Sequence, residues 1–128
     1  MGQIRATSAS RILLAEDDPS IRRLLEYLLK ADGHQVRQAV DGAAALALLK
    51  EEPFDLVITD LYMPNLDGMG LLKEVKALEP DLPVLMLTAH SSLKSAIEAI
   101  RLGAYDYLEK PVDHDRLRTV VKLSLIHI

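Results

Sequence analysis

Apolar residues fall along this chain in two alternating patterns. Short, nearly continuous apolar runs stand at Ile12–Ala15, Leu56–Thr59 and Val84–Thr88, each bounded by acids, proline or a polar residue. Runs so short and so wholly apolar suit strands buried on both faces of a parallel sheet. Gln35–Ala39 and Tyr105–Glu109 read as two weaker strands. Between the strands lie longer stretches of helical periodicity. Ile21, Leu24, Leu25, Leu28 and Leu29 make one apolar stripe, with Arg22, Arg23, Glu26 and Lys30 opposite. Asp18 and Pro19 open that helix as N-cap and first helical residue, and Gly33 stops it. Further helices are expected over Ala43–Lys50, Met69–Leu78, Leu93–Leu102 and Asp113–Lys122.

Strand and helix therefore alternate as (βα)5. Strict alternation with short connections implies an α/β fold with a parallel five-stranded sheet and helices on both faces. The common doubly wound strand order for five strands is 2-1-3-4-5. Its ligand crevice lies beyond the carboxyl ends of strands 1 and 3, where the order reverses. Polar residues with chemistry should collect there.

Composition narrows the class. The 128 residues give room for one domain, and a hydrophobic content of 49% is ample for a core. The absence of cysteine removes disulfides, thiolate metal sites and thiol catalysis, and agrees with a reducing, cytoplasmic setting. The net charge is −4 and the lysines and arginines are scattered, so direct contact with nucleic acid is not expected. No apolar run is long enough to span a membrane. The leader Met1–Ser10 has no apolar core and reads as a flexible polar start, not a signal peptide.

The expected crevice is acidic. Glu16, Asp17 and Asp18 follow the first strand, and Asp60 ends the third. Two like charges at roughly 4 Å repel by about 4 kcal/mol at an effective dielectric of 20, which favours a neutralising cation. An all-oxygen set without nearby histidine or cysteine points to Mg2+ or Mn2+. Solvated loop acids are the plainer reading, and it is preferred for Asp18 as a helix cap. Thr88 and Lys110 end the fourth and fifth strands. Singly, they read as a β-branched strand end and an exposed lysine. Together, a carboxylate nucleophile, a metal-binding pair, a hydroxyl and a cation suit phosphoryl transfer.

The segments ILLAEDDPSIRR, DLVITDLYMPNLDGMGLL, PVLMLTAH and GAYDYLEKP run in order from Arg11 to about Lys122. In that order and spacing the chain resembles the receiver domains of bacterial two-component response regulators. Its wording is closest to receivers heading sigma-54-dependent, NtrC-like activators. The resemblance implies a flavodoxin-like fold and assigns roles. Asp60 would accept a phosphoryl group from a sensor histidine kinase or phosphotransfer protein. Glu16, Asp17, Asp60 and the backbone carbonyl of Tyr62 would hold Mg2+. Thr88 and Lys110 would contact the phosphoryl group, and Tyr107 would change rotamer with Thr88; a half-buried sheet-edge tyrosine is its plainer reading. Lys110-Pro111 would be a cis peptide. Gly68 would serve as the turn glycine after Pro64, through positive φ or close backbone approach. Tyr62 and His90 would flank the crevice and tune phosphate lifetime, whereas His34 and His114 read as surface residues. The output would be a switched surface of fourth helix, fifth strand and fifth helix, acting on an output domain, a partner or a homodimer, with transcription regulation implied.

Two enzyme or cofactor alternatives fit less well. A small Mg2+-dependent phosphohydrolase with an aspartyl nucleophile typically carries a second acid two residues on, where Tyr62 stands. A flavin-binding module of this topology needs a hydroxyl- and glycine-rich phosphate loop after the first strand, where EDDPS is acidic. The last six residues, Leu123–Ile128, turn abruptly apolar where a charged outer face is expected. LSLIHI also translates a common transposon-based sequencing adapter, CTGTCTCTTATACACATC. The receiver is therefore expected over 11–122, with 123–128 adapter-derived and an output domain missing.

Overall fold

The computed structural model describes residues 10–126. The flexible leader expected over Met1–Ser10 thus lies, apart from Ser10, outside the described residues, as do the last two residues of the tail. Ten elements alternate: β1 (Arg11–Ala15), α1 (Pro19–Ala31), β2 (Gln35–Ala39), α2 (Gly42–Glu51), β3 (Leu56–Thr59), α3 (Gly68–Leu78), β4 (Val84–Thr88), α4 (Leu93–Arg101), β5 (Asp106–Glu109) and α5 (His114–Leu125). All strand pairs are parallel and the sheet order is β2-β1-β3-β4-β5.

The apolar runs work because side chains alternate across a strand. Leu13 and Ala15 of β1, Val57 of β3, and Val84 and Met86 of β4 face one layer with Ala45, Leu71, Leu72, Val75 and Ala99 of α2, α3 and α4. Their neighbours Ile12, Leu14, Leu56, Ile58, Leu85 and Leu87 face the other, with Leu25 and Leu29 of α1 and Leu117, Val120 and Val121 of α5. Burying a leucine or isoleucine contributes about 1.5–3 kcal/mol, whereas a helix cap contributes about 1 kcal/mol. The inner strands therefore dominate stability, and the caps set boundaries.

The boundaries follow local chemistry. Asp18 accepts from the backbone N–H groups of Ser20 and Ile21, as its capping role requires. Asp41, Asp67, Ser92 and Asp113 cap the other helices. Gly33 ends α1 at φ 91°, donating to the Lys30 carbonyl while His34 donates to that of Leu29. This is a Schellman closure, and positive φ is why glycine stands there. α5 continues past its expected end to Leu125: Ser124 is buried, its hydroxyl donating to the Val121 carbonyl, and Leu125 packs on the inner layer.

Candidate functional site

Strand register builds the crevice. Ala15 of β1 stands beside Thr59 of β3, so the next residues, Glu16 and Asp60, emerge side by side; the Asp60 N–H donates to the Ala15 carbonyl at 3.0 Å. β1 then leads to α1 on one face and β3 to α3 on the other, which opens the space between them. Carboxylate oxygens of Glu16, Asp17 and Asp60 all lie within 4.8 Å of one another. At that spacing two ionised carboxylates repel by about 3.5 kcal/mol at an effective dielectric of 20.

Lys110 relieves part of this crowding. Its Nζ donates to Asp60 Oδ2 at 2.9 Å and pairs with Glu16 Oε1. Lys110 is 10% exposed in its side chain, Glu16 3% and Asp60 12%, so the pairing is largely shielded from solvent. Burial would lower the Lys110 pKa, but the hydrogen bonds and charges of Glu16 and Asp60 outweigh it and hold the ammonium above the usual lysine range. Burial raises the Glu16 pKa, and Lys110 opposes that rise only in part. A carboxylate so placed gains from a second cation, and the donor set is all oxygen. Both facts fit Mg2+.

The remaining contacts orient the acids. Asp60 Oδ1 accepts from the N–H of Leu61 at 2.6 Å and more weakly from that of Tyr62 at 3.4 Å. Gly68 donates to the Leu61 carbonyl at 2.8 Å, and a Cβ at position 68 would fall 2.1 Å from the Asp60 carbonyl oxygen. Close approach, and not positive φ, is thus what Gly68 provides. Positive φ in this loop belongs to Asn65 and Leu66, at 56° and 103°. Arg22 reaches back from α1 to the Glu16 carbonyl at 2.7 Å, and Gln38 of β2 holds its Nε.

Thr88 is fully buried at the end of β4, and its Oγ1 accepts from the His90 N–H at 3.1 Å. The Lys110 N–H donates to the Thr88 carbonyl at 2.8 Å, and Lys110-Pro111 is cis. Tyr62 and His90 meet edge to face, with ring centroids 5.3 Å apart. Tyr107 does not point its hydroxyl to the acids; that hydroxyl lies 2.7 Å from Ser95 Oγ on α4. Of the other histidines, His114 is exposed and His34 half-buried. Arg22 and Ser95 escape a reading of the sequence because their contacts cross between elements. The helical position of Arg22, one turn after the acids, was the only hint of its role.

The family described as response regulator receiver domain matches residues 12–122. The chain is 46% identical over 116 residues to the transcriptional regulatory protein ZraR of Salmonella typhimurium, covering 91% of this chain and 26% of that protein. It is 42% identical over 118 residues to the response regulator protein PilR of Pseudomonas aeruginosa, covering 92% and 26% respectively. It therefore spans about a quarter of these relatives' length. Among solved structures, the receiver domain of NtrX from Brucella abortus superimposes with a TM-score of 0.87 at 39% identity, covering 91% of this chain and 99% of that one. A receiver domain protein from Clostridium thermocellum gives 0.86 at 36% identity, covering 91% and 94%.

Proposed function

The chain belongs to the response regulator receiver domain family, and on that premise we propose that it is a phosphorylation switch whose acceptor is Asp60. One observation carries the reading: Lys110 bonds Asp60 at 2.9 Å within a cluster whose carboxylates converge within 4.8 Å. The donor is a sensor histidine kinase or phosphotransfer protein. A carboxylate oxygen of Asp60 forms the new bond to phosphorus, the nitrogen–phosphorus bond of phosphohistidine breaks, and its electron pair returns to the imidazole. Lys110 steadies charge on the phosphoryl oxygens, and the Leu61 N–H fixes the carboxylate at its other oxygen. Mg2+ held by Glu16, Asp17, Asp60 and the Tyr62 carbonyl supplies the charge neutralisation that these acids alone deny an incoming phosphate.

Phosphorylation adds about −1.5 to −2 charges at Asp60. Thr88 then turns its hydroxyl to the phosphoryl group, Tyr107 moves with it, and the α4–β5–α5 surface changes state. That surface acts in the cytoplasm on an output domain, a partner or a second copy of the chain, with transcription as the regulated process, the relatives being named transcriptional regulatory proteins. The domain itself touches neither membrane nor nucleic acid, and its only catalysis is phosphotransfer to itself and hydrolysis of its own phosphoryl group, so it is a switch and not a phosphohydrolase of other substrates. Residues 11–122 form the receiver, and 123–128 are adapter-derived; codons other than those of the adapter in the underlying DNA would contradict that origin. Incubation with acetyl phosphate and Mg2+ tests the acceptor: wild type takes up label and Asp60→Asn does not. Undiminished labelling of Asp60→Asn would overturn the assignment.

A further inference from the structure

We propose that the start of α4 is clasped to the edge strand β5 by hydroxyls, with Tyr107 completing the helix cap, so that the position of Tyr107 decides whether that cap is closed. This rests on the reading above only in its claim that phosphorylation moves Tyr107.

α4 is held weakly by packing. Ala99 is its one fully buried residue, whereas α3 buries Leu71, Leu72 and Val75. Leu93, Ile97 and Ile100 lie along α4 largely exposed, Leu93 at 79%. Polar contacts at the N-terminal end therefore carry an unusual share of its attachment. Ser91, just ahead of the helix, donates to Glu109 Oε2 at 2.6 Å. Ser95, at the third helical position, lies 2.7 Å from Tyr107 Oη. Tyr107 and Glu109 are alternate residues of β5, and alternate residues share one face of a strand. Two serines thus meet one side of the edge strand.

The Ser95 contact is also part of the helix cap. Ser92 and Ser95 form a capping box: the Ser95 N–H donates to Ser92 Oγ at 3.1 Å, and the Ser92 N–H to Ser95 Oγ at 3.2 Å. A serine hydroxyl has one hydrogen and two lone pairs. The Ser95 hydrogen goes to the Ser92 carbonyl at 3.2 Å, and one lone pair takes the Ser92 N–H. Tyr107 Oη at 2.7 Å makes the shorter of the two hydroxyl contacts left to the other, Ser92 Oγ standing at 3.0 Å. Movement of Tyr107 away removes the shortest contact of the cap hydroxyl and leaves the capping box to hold itself. The rotation of one strand side chain is thereby transmitted to a helix terminus.

Amide hydrogen exchange at Ser95 and Ala96, whose N–H groups bond Ser92 Oγ and the Ser92 carbonyl, reads the cap directly. Tyr107→Phe keeps the ring and removes only the hydroxyl. It should speed exchange at these two amides about fivefold, the equilibrium effect of one neutral hydrogen bond, while Ile58 in β3 is unchanged. Ser95→Ala should speed them too, and adding Tyr107→Phe to it should change them no further. Unaltered exchange in Tyr107→Phe, or an added effect in the double variant, would overturn the clasp. Acetyl phosphate with Mg2+ should speed the same amides in wild type. If it does not while Tyr107→Phe does, the clasp stands and the phosphoryl control of Tyr107 fails.

Discussion

Lys110 Nζ donates to Asp60 Oδ2 at 2.9 Å across a separation of 50 residues in the chain, and the same ammonium pairs with the buried Glu16. One cation thus serves two acids, and Asp17, which completes the trio, is exposed and has no hold on Lys110 among the described contacts. The acids therefore retain unmet negative charge.

That imbalance predicts divalent cation binding. Asp17→Asn should weaken Mg2+ binding at least about tenfold, since Mg2+ holds few protein ligands and depends on each carboxylate. Isothermal titration calorimetry reads the affinity without any phosphoryl donor. Equal affinity in wild type and Asp17→Asn would remove Asp17 from the metal set.

Gly68 tests the loop that carries Asp60. An added methyl would sit 2.1 Å from the Asp60 carbonyl oxygen, so backbone must shift. Gly68→Ala should lose about 1–3 kcal/mol of stability, the usual effect of overpacking, in urea unfolding. Gly33→Ala has open space around it but a φ of 91°; its loss should come from conformation alone.

Tyr62 stands edge-on to His90 beside the crevice. The role proposed for this ring is to impede water on its way to a phosphorylated Asp60. Tyr62→Asn should shorten the lifetime of the phosphorylated form, followed as decay of label after donor removal. An unchanged decay rate would reject shielding by this ring.

The Asp32 pair gives a pH dependence of known sign. The hydrogen bond and charge of Arg118 on α5 hold the carboxyl of Asp32, at the end of α1, below the usual carboxylate range. Above the unfolded value near 3.8 the folded state keeps this carboxylate ionised and gains from the pair. Protonation on acidification removes that gain. The urea midpoint of Arg118→Ala should therefore lie below that of wild type at pH 7, and the gap should hold down to about pH 3.8 and narrow as pH falls below it. A gap independent of pH would mean that Arg118 acts through packing.

Much of this molecule is legible in its sequence, for physical reasons that differ by residue. Leu56–Thr59 and Val84–Thr88 are strands at their expected limits because central strands of a parallel sheet are buried on both faces. The crevice follows from topology, since the residues after β1 and β3 must diverge there. Asp18 is a cap because its side chain needs only its own next turn. α2 begins at Gly42, one residue before the expected Ala43, because Asp41 caps it, accepting from the Ala44 N–H at 2.8 Å, and Gly42 lies against the Leu66 carbonyl, where a Cβ would fall at 2.0 Å. Nothing in the sequence near position 42 reveals that contact. The positive φ of Leu66, the reach of Arg22 and the Ser95–Tyr107 bond are hidden for the same reason: each depends on how separate elements come together.

The central claim is that Asp60 is the acceptor, and mapping the phosphoryl group tests it most directly. Wild-type protein treated with acetyl phosphate and Mg2+, digested and sequenced by tandem mass spectrometry, should carry one phosphoryl group on Asp60, and omission of Mg2+ should abolish it. A phosphoryl group found instead on Asp17 or Glu16, or equal modification without Mg2+, would contradict the account.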